Sequence, residues 1–211
     1  MNLGLVIILV VLFGYISNWL NWRYLNFKIT QYLYYIGAFV HEGSHAILCL
    51  LTGAKVREFK FFTSQPHVIH TKSKIPLVGS FLISSAPIFG GLFFLFLVNK
   101  FVLGDSFVIK PFTDNWKDTL LEPLKLVAQM DLFKWQSWVM ILLLLNVGAM
   151  IGPSIQDIKN AWPIIILAFF VPSSFLINFC LIALSLILLN ILIQIFLIIF
   201  LKIFVKVKGD S

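Results

Sequence analysis

The chain has 211 residues, of which 60% are hydrophobic and 12% are charged, and its formal net charge is +7. Soluble domains are nearer half apolar and a quarter charged, so the composition excludes a soluble enzyme. It predicts a polytopic membrane protein with one membrane domain over residues 1–211. The positive charge indicates cytoplasmic loops and contact with the anionic lipid bilayer, not a nucleic-acid partner. Cys49 and Cys180 lie in apolar stretches, which predicts free thiols and no disulfide framework.

Two apolar segments come first along the chain. Residues 3–20 are long enough to span a bilayer, and they lack a basic start and an evident cleavage site, so we expect a retained helix and not a signal peptide. Residues 31–52 form the second predicted span, which we expect to end at Gly53 because glycine commonly follows the last turn of a helix.

The second segment contains the pattern H-E-x-x-H, formed by His41, Glu42 and His45. Residues four apart on a helix share one face, so the two imidazoles can bind one zinc ion while the glutamate acts as general base. An ionisable residue inside a membrane segment is costly and indicates function. The alternative is a structural site in which the three polar residues form hydrogen bonds between helices.

Residues 54–74 differ from their apolar flanks because five of them are basic. Two runs rich in β-branched and aromatic residues flank the turn sequence TSQP, which predicts a short β-hairpin at the membrane surface. His67 and His70 lie in this hairpin. We expect them to be solvated or hydrogen-bonded, with metal ligation as the alternative.

Residues 75–104 predict a third span whose first half is rich in small residues, which allow helices to approach closely. Pro87 lies in that half. A proline inside a helix frees a backbone carbonyl, which within a membrane needs a partner or a water-lined cavity. Residues 105–134 predict an amphipathic helix at the membrane surface, with Leu120, Leu124 and Val127 on one face.

Residues 135–153 predict a fourth span, which contains Asn146 and ends at Pro153. Asp157 follows one turn later. An acidic residue just beyond a proline break can turn back into a cavity. The alternative for Asp157 is an interfacial aspartate that pairs with Lys159.

Residues 161–205 are almost uninterrupted hydrocarbon. A single helix of this length would reach about 67 Å, more than twice the thickness of the bilayer core. We therefore expect a break at the sequence Pro172-Ser173-Ser174 and two spans, at about 161–179 and 182–205.

The predicted fold is an all-α polytopic membrane protein with about six transmembrane helices and a short β-hairpin between the second and the third. Six spans place both termini and the basic hairpin on the same side of the membrane. Most of the lysines are on that side too, so the positive-inside rule predicts that both termini are cytosolic.

A catalytic zinc site needs three protein ligands and an open position for water. His41 and His45 provide two. Most acids of the chain fall in the loop on the opposite side, and Glu58 lies in the hairpin. Asp157 is on the same side of the membrane as the C-terminal end of the motif helix, so we predict it as the third ligand.

The sequence HEGSHA, followed by LLTGAKV and a basic hairpin, resembles the site-2 protease family of intramembrane zinc metalloproteases. The resemblance extends over about residues 31–160. The segment SAPIFGG, which contains Pro87, is similar to the family's Gly-Pro-x-x-Asn segment, with Ala86 and Gly90 at its ends. The segment GPSIQD is similar to the family's Asn…Pro…Asp-Gly motif, although no glycine follows Asp157.

The resemblance implies a zinc-dependent endopeptidase whose catalytic core is about residues 31–160. Zn²⁺ would be held by His41, His45 and Asp157, and Glu42 would be the catalytic base. Asn146 and Pro87 would contribute to substrate binding. The implied partners are a membrane-protein substrate, whose helix must unwind before cleavage, and the lipid bilayer. A regulatory subunit is left open.

Two other classes of protein remain open. The first is a catalytically inactive relative that binds membrane proteins, which the imperfect third-ligand motif would explain. The second is a metal or proton transporter that uses His41, Glu42 and His45 as relay groups. Transporters often have internal repeats with paired broken helices, and the chain shows only half of such a pattern.

Overall fold

The computed structural model describes residues 2–24, 34–63, 66–107 and 115–209. Within these residues the chain forms seven α-helices, one short 3-10 helix (Ala168–Phe170) and one hairpin. The helices are α1 Leu3–Tyr24, α2 Tyr35–Leu51, α3 Val78–Phe101, α4 Trp116–Ala128, α5 Trp135–Met150, α6 Ile155–Leu167 and α7 Ser174–Gly209. The strands are β1 Val56–Lys60 and β2 His67–His70. The mostly helical fold with a short hairpin is as predicted.

Three helices in the described ranges are long and apolar enough to cross a membrane. These segments are Leu3–Leu20, Val78–Phe101 and Ser174–Phe200. They correspond to the first, third and last of the predicted spans. The apolar helices α2 and α5 have 17 and 16 residues. At 1.5 Å per residue they reach about 24–26 Å, somewhat less than the bilayer core of about 30 Å.

The C-terminal apolar stretch is divided differently from the prediction. The break lies at Pro172, as expected, but the helix after it begins at Ser174 and continues to Gly209, without an interruption near residue 180. The segment before it is the 13-residue α6 and the 3-10 turn, in place of the predicted span 161–179. Ser173 explains the boundary, because its hydroxyl accepts the Leu176 N–H at 3.3 Å and caps α7.

Helix α2 ends where the sequence predicts. Gly53 has φ of +75°, a left-handed conformation that costs glycine little. The Ala54 N–H donates to the Cys49 carbonyl at 2.8 Å, and the Gly53 N–H donates to the Leu50 carbonyl at 3.2 Å. This is the Schellman arrangement, which satisfies the last carbonyls of the helix and turns the chain into the hairpin.

The long helix α7 packs against α1, α4 and α5 and forms the apolar core with them. Leu120 and Val127 of α4 face this core, whereas Leu124 is 42% exposed. On the other side of the molecule α2 packs between α3 and α5, and α6 packs against α3. Helices α3, α5 and α6 therefore form a second group with α2, and α5 contacts both groups.

The hairpin covers one side of α2. Its strands are antiparallel, with Phe59 opposite Val68 and an irregularity between Val56 and Glu58. Phe39 of α2 contacts Phe59 and Phe61, with ring centroids 6.5 and 5.0 Å apart. These aromatic contacts hold the hairpin against the helix that carries the histidines.

Candidate metal centre

Helix α2 presents His41 and His45 on the same face, as their spacing predicts. Their Nε2 atoms are 3.3 Å apart. His45 is 8% exposed and His41 is half-buried. The two imidazoles therefore meet in an interior where few other polar groups are available.

Backbone carbonyls of the two neighbouring helices orient both rings. His41 Nδ1 donates to the Met150 carbonyl of α5 at 2.5 Å, and His45 Nδ1 donates to the Ile83 carbonyl of α3 at 2.7 Å. A carbonyl can only accept, so each Nδ1 carries a proton and each Nε2 of a neutral ring is left with its lone pair. Metal-binding histidines generally have such a partner on the second nitrogen.

Asp157 approaches the histidines from the first turn of α6. Its Oδ2 lies 3.7 Å from His45 Nε2, and the residue is only 6% exposed. Lys159 is exposed. The structure therefore places Asp157 beside the histidine pair, whereas the alternative required an interfacial aspartate.

A capping box holds the Asp157 carboxylate in place. Ser154 precedes α6, and its backbone N–H and hydroxyl donate to Asp157 Oδ2 at 2.8 and 2.6 Å. In return the Asp157 N–H donates to Ser154 Oγ at 3.2 Å. Such reciprocal bonds satisfy free donors at a helix start. The S-x-x-D spacing is visible in the sequence, and it could have identified Ser154 as a supporting residue.

The three side chains fit a small divalent ion with tetrahedral preference. One ligand atom from each of His41, His45 and Asp157 lies within 4.8 Å of the other two. Ligands at the usual zinc distances of 2.0–2.1 Å would be about 3.3 Å apart in a tetrahedron. Lone pairs of two imidazoles and one carboxylate repel one another at this range unless a cation or a proton lies between them. Two nitrogens and one oxygen are a ligand set that zinc accepts.

Glu42 is buried beside this cluster but is not part of it. It is 9% exposed, and its carboxylate interacts with the Val68 backbone and with His67 of strand β2. It also lies close enough to His41 and Asp157 to interact with them electrostatically. The hairpin thus lies against the glutamate.

Asn146 and Pro87 lie on the helices that flank α2. Asn146 is 2% exposed, its amide donates to the Leu142 carbonyl at 2.8 Å, and its Oδ1 has no partner among the described residues. Its backbone carbonyl lies directly against Gly37 of α2. Pro87 is buried inside α3. Neither residue belongs to the metal cluster, and substrate binding by either stays a prediction.

The hairpin histidines and Glu58 lie outside the cluster. His70 Nδ1 donates to the Thr71 carbonyl at 2.7 Å, and His67 Nε2 lies 3.8 Å from Glu58. The Lys60 ammonium lies 2.5 Å from the Glu58 carboxylate. Through its hydrogen bond and charge, this ammonium holds the pKa of Glu58 below its ordinary value. In the part of the chain that the structure describes, the histidine–aspartate cluster is the one group arranged for a metal.

An apolar cavity of about 180 Å³ lies between α1, α3, α6 and α7 and reaches Asp157. Its lining includes Ile7, Phe81, Ile88 and Ser84. The Ser84 hydroxyl is buried and has no hydrogen-bond partner among the described residues. The cavity therefore brings hydrocarbon and one free hydroxyl close to the third candidate ligand.

Comparisons of the chain with protein-family models, with curated proteins and with solved structures found no match in any of the three. A function can therefore be proposed for this site only from its own residues and their geometry.

Proposed function

We propose that the chain is an intramembrane zinc metalloprotease that hydrolyses a peptide bond within or near a transmembrane segment of a membrane-protein substrate. The observation that carries the proposal is the meeting of His41, His45 and Asp157 at one point. The presence of Glu42 next to these residues distinguishes a hydrolytic site from a purely structural one. The proposal agrees with the resemblance of HEGSHA to the site-2 protease family.

The chemistry divides between the bound ion and the glutamate. Zinc held by His41, His45 and Asp157 would supply a Lewis acid for the hydrolysis of a peptide bond. Glu42 accepts a proton from that water as it adds to the carbonyl carbon. Glu42 then passes the proton to the departing amine as the C–N bond breaks, so one water is consumed for each bond cut.

The substrate must present an extended backbone to this site. A helix in a membrane keeps its carbonyls in internal hydrogen bonds, so the cleaved segment has to unwind first. Small or polar residues in the substrate helix would make unwinding easier. The apolar cavity that reaches Asp157 would suit an aliphatic side chain of the unwound segment.

The proposal includes a membrane topology. The short helices α2 and α5, at 17 and 16 residues, are near the lower limit for a span, and α6 with its 3-10 turn would complete six crossings. Both termini and the basic hairpin would then face the cytosol. A regulatory subunit could control access of the substrate to the site.

The test uses the purified chain in phosphatidylcholine vesicles with labelled single-span peptides whose apolar segments contain glycine and asparagine at varied depths. We expect cleavage within the apolar segment, detected by mass spectrometry, that is lost on zinc chelation and restored by zinc. Glu42→Gln should retain zinc and lower the rate by about 10²–10⁴-fold, the contribution typical of general acid–base catalysis.

Glu58→Gln is the matched control, because it changes a partly exposed hairpin glutamate outside the metal cluster and should leave zinc content and cleavage unchanged. Cleavage that survives Glu42→Gln would contradict the proposed mechanism. Zinc and peptide binding without cleavage by the native chain would indicate an inactive binding protein. Zinc flux across the vesicle membrane that survives Glu42→Gln would indicate a transporter.

A further inference from the structure

Helix α3 has one backbone hydrogen bond fewer than its length allows. Pro87 lies inside the helix and has no N–H, so the Ile83 carbonyl four residues earlier loses its usual donor. A carbonyl without a donor is costly inside an apolar helix bundle, where water is not available to replace it. The Ile83 carbonyl therefore needs a hydrogen-bond donor from outside its own helix.

His45 provides that donor. Its Nδ1–H donates to the Ile83 carbonyl at 2.7 Å. The imidazole is buried as well, so its N–H needs an acceptor as much as the carbonyl needs a donor. One hydrogen bond satisfies both groups and holds the ring with Nε2 toward His41 and Asp157.

A similar hydrogen bond between a histidine and a released carbonyl occurs on the opposite side of α2. Helix α5 ends at Met150, and the N–H four residues later, that of Ser154, donates to Asp157 Oδ2 and not to the Met150 carbonyl. The Met150 carbonyl accepts from His41 Nδ1. Each histidine is thus oriented by a carbonyl that an interruption in a neighbouring helix has released.

We propose that Pro87 is a positioning residue for the metal centre, which acts by reserving the Ile83 carbonyl for His45. The inference rests on the metal site of the proposed function, and it gives Pro87 a role other than contact with substrate. An alanine at this position would bring back an N–H that lies along the helix axis from the Ile83 carbonyl. That N–H would compete with His45, so the ring would lose its fixed direction.

The expected effects on binding and on folding have opposite signs. Alanine favours a helix far more than proline does, so Pro87→Ala should leave the apo-protein at least as thermally stable as the native chain. Loss of a partner that orients a ligand typically lowers metal affinity by 10–100-fold. We expect a decrease of about that size in zinc affinity for Pro87→Ala. A residue that served only packing would not separate the two quantities in this way.

The experiment measures zinc affinity by competition with a chromophoric chelator, the visible absorption of the Co²⁺-substituted protein, and the apo melting temperature. Pro87→Gly accompanies Pro87→Ala, because both restore the N–H while their helix propensities differ. Similar losses of affinity in both variants, with weaker tetrahedral Co²⁺ bands, are expected. The matched control is Pro123→Ala, a buried proline inside α4, which should keep native affinity.

Three outcomes would overturn the inference. Native zinc affinity and an unchanged Co²⁺ spectrum in both Pro87 variants would show that the Ile83 carbonyl orients His45 without help from the proline. An affinity loss in Pro87→Gly alone would assign the effect to helix stability. If the native chain binds no zinc, this inference is wrong together with the proposed metal site. Failure of the native chain to cut peptides would contradict only the protease proposal.

Discussion

Among the residues that the structure describes, the candidate metal centre and a polar cluster between α1 and α7 are both buried, and they differ in the donors and acceptors that their atoms present. In the metal centre, the groups that converge are the lone pairs of two imidazoles and a carboxylate. Between α1 and α7, the amides of Asn190 and Gln194 donate to the Ser17 hydroxyl at 2.9 and 3.1 Å. The second cluster contains no titratable group, and its amides donate to the Ser17 hydroxyl and, at 3.3 Å, to the Ser17 backbone carbonyl.

The difference distinguishes a candidate metal site from a cluster that joins two helices. Both clusters place polar side chains in apolar segments, so polarity alone does not distinguish them. The α1–α7 cluster joins two helices through hydrogen bonds that the chain supplies itself. The candidate metal centre has its ring N–H groups satisfied by carbonyls and leaves acceptors facing one another, an arrangement that a cation or a proton between them would complete.

The largest expected effect is loss of zinc on removal of a ligand. His41→Ala, His45→Ala and Asp157→Ala should each lower zinc affinity by more than about 100-fold, because residues that only support a ligand already contribute 10–100-fold. The measurement is zinc content and affinity of detergent-purified protein. Ser17→Ala, in the other cluster, should bind zinc as the native chain does.

A second control separates the ligand role of Asp157 from its capping role. Ser154→Ala removes the cap and keeps the carboxylate, so it should cost about 1 kcal/mol of stability and retain measurable zinc binding. Zinc that stays bound in Asp157→Ala but is lost in His41→Ala would contradict the third ligand. His67, His70 and Glu58 would then be the next candidates for the third ligand.

The next effect concerns the close approach of α2 and α3. A Cβ at Gly90 would overlap the side chain of Ser44, the residue before His45. Gly90→Ala should therefore destabilise the protein by about 1–3 kcal/mol and separate the two helices. Unfolding in mixed micelles measures the stability. Gly43→Ala is the matched control, because no atom lies within 4 Å of its Cβ and a helical alanine is favourable. Equal destabilisation by both variants would contradict this packing.

A smaller effect is expected for the α1–α7 cluster. Ser17→Ala removes the shared acceptor with little change of volume. Interhelical hydrogen bonds in membranes average about 0.6 kcal/mol and reach about 1.7, so the loss of stability should fall in that range. The same unfolding experiment tests it, with zinc affinity as the second readout. A change in zinc affinity would show that the two clusters are coupled.

The smallest effect on stability is expected for the ion pair of Glu58 and Lys60 at the surface of the hairpin. This pair serves as a reference for both buried clusters. The pKa of Glu58 is lowered from its ordinary value of 4.5 by the Lys60 hydrogen bond and charge. Its stabilising effect is therefore present above pH 4.5 and is lost as the pH falls through the lowered pKa. Glu58→Gln should melt slightly below the native chain at pH 7 and together with it at low pH. A larger loss than in Ser17→Ala would contradict this order.

Local patterns predicted much of the fold. The helix end at Gly53, the pairing of the two hairpin strands and the break at Pro172 each depend on residues that are close in sequence, and each is found in the structure. The middle of the predicted TSQP turn lies outside the described residues. The predicted boundaries at 179 and 182 are wrong because hydropathy does not report where a helix begins within apolar sequence. The Ser173 cap decides that point.

The apolar segments can be predicted from the sequence alone. So can the common face of His41 and His45, because helical periodicity acts over four residues. The prolines that interrupt helices and the Ser-x-x-Asp capping pattern are also visible in the sequence. The tertiary structure is needed to see that Asp157 faces the histidines. It is also needed to see that the Ile83 and Met150 carbonyls accept from the histidine Nδ1 atoms. Those contacts join residues distant in the chain, and they depend on how α3, α5 and α6 pack around α2. Close packing and the cost of leaving buried N–H and carbonyl groups unpaired favour that arrangement.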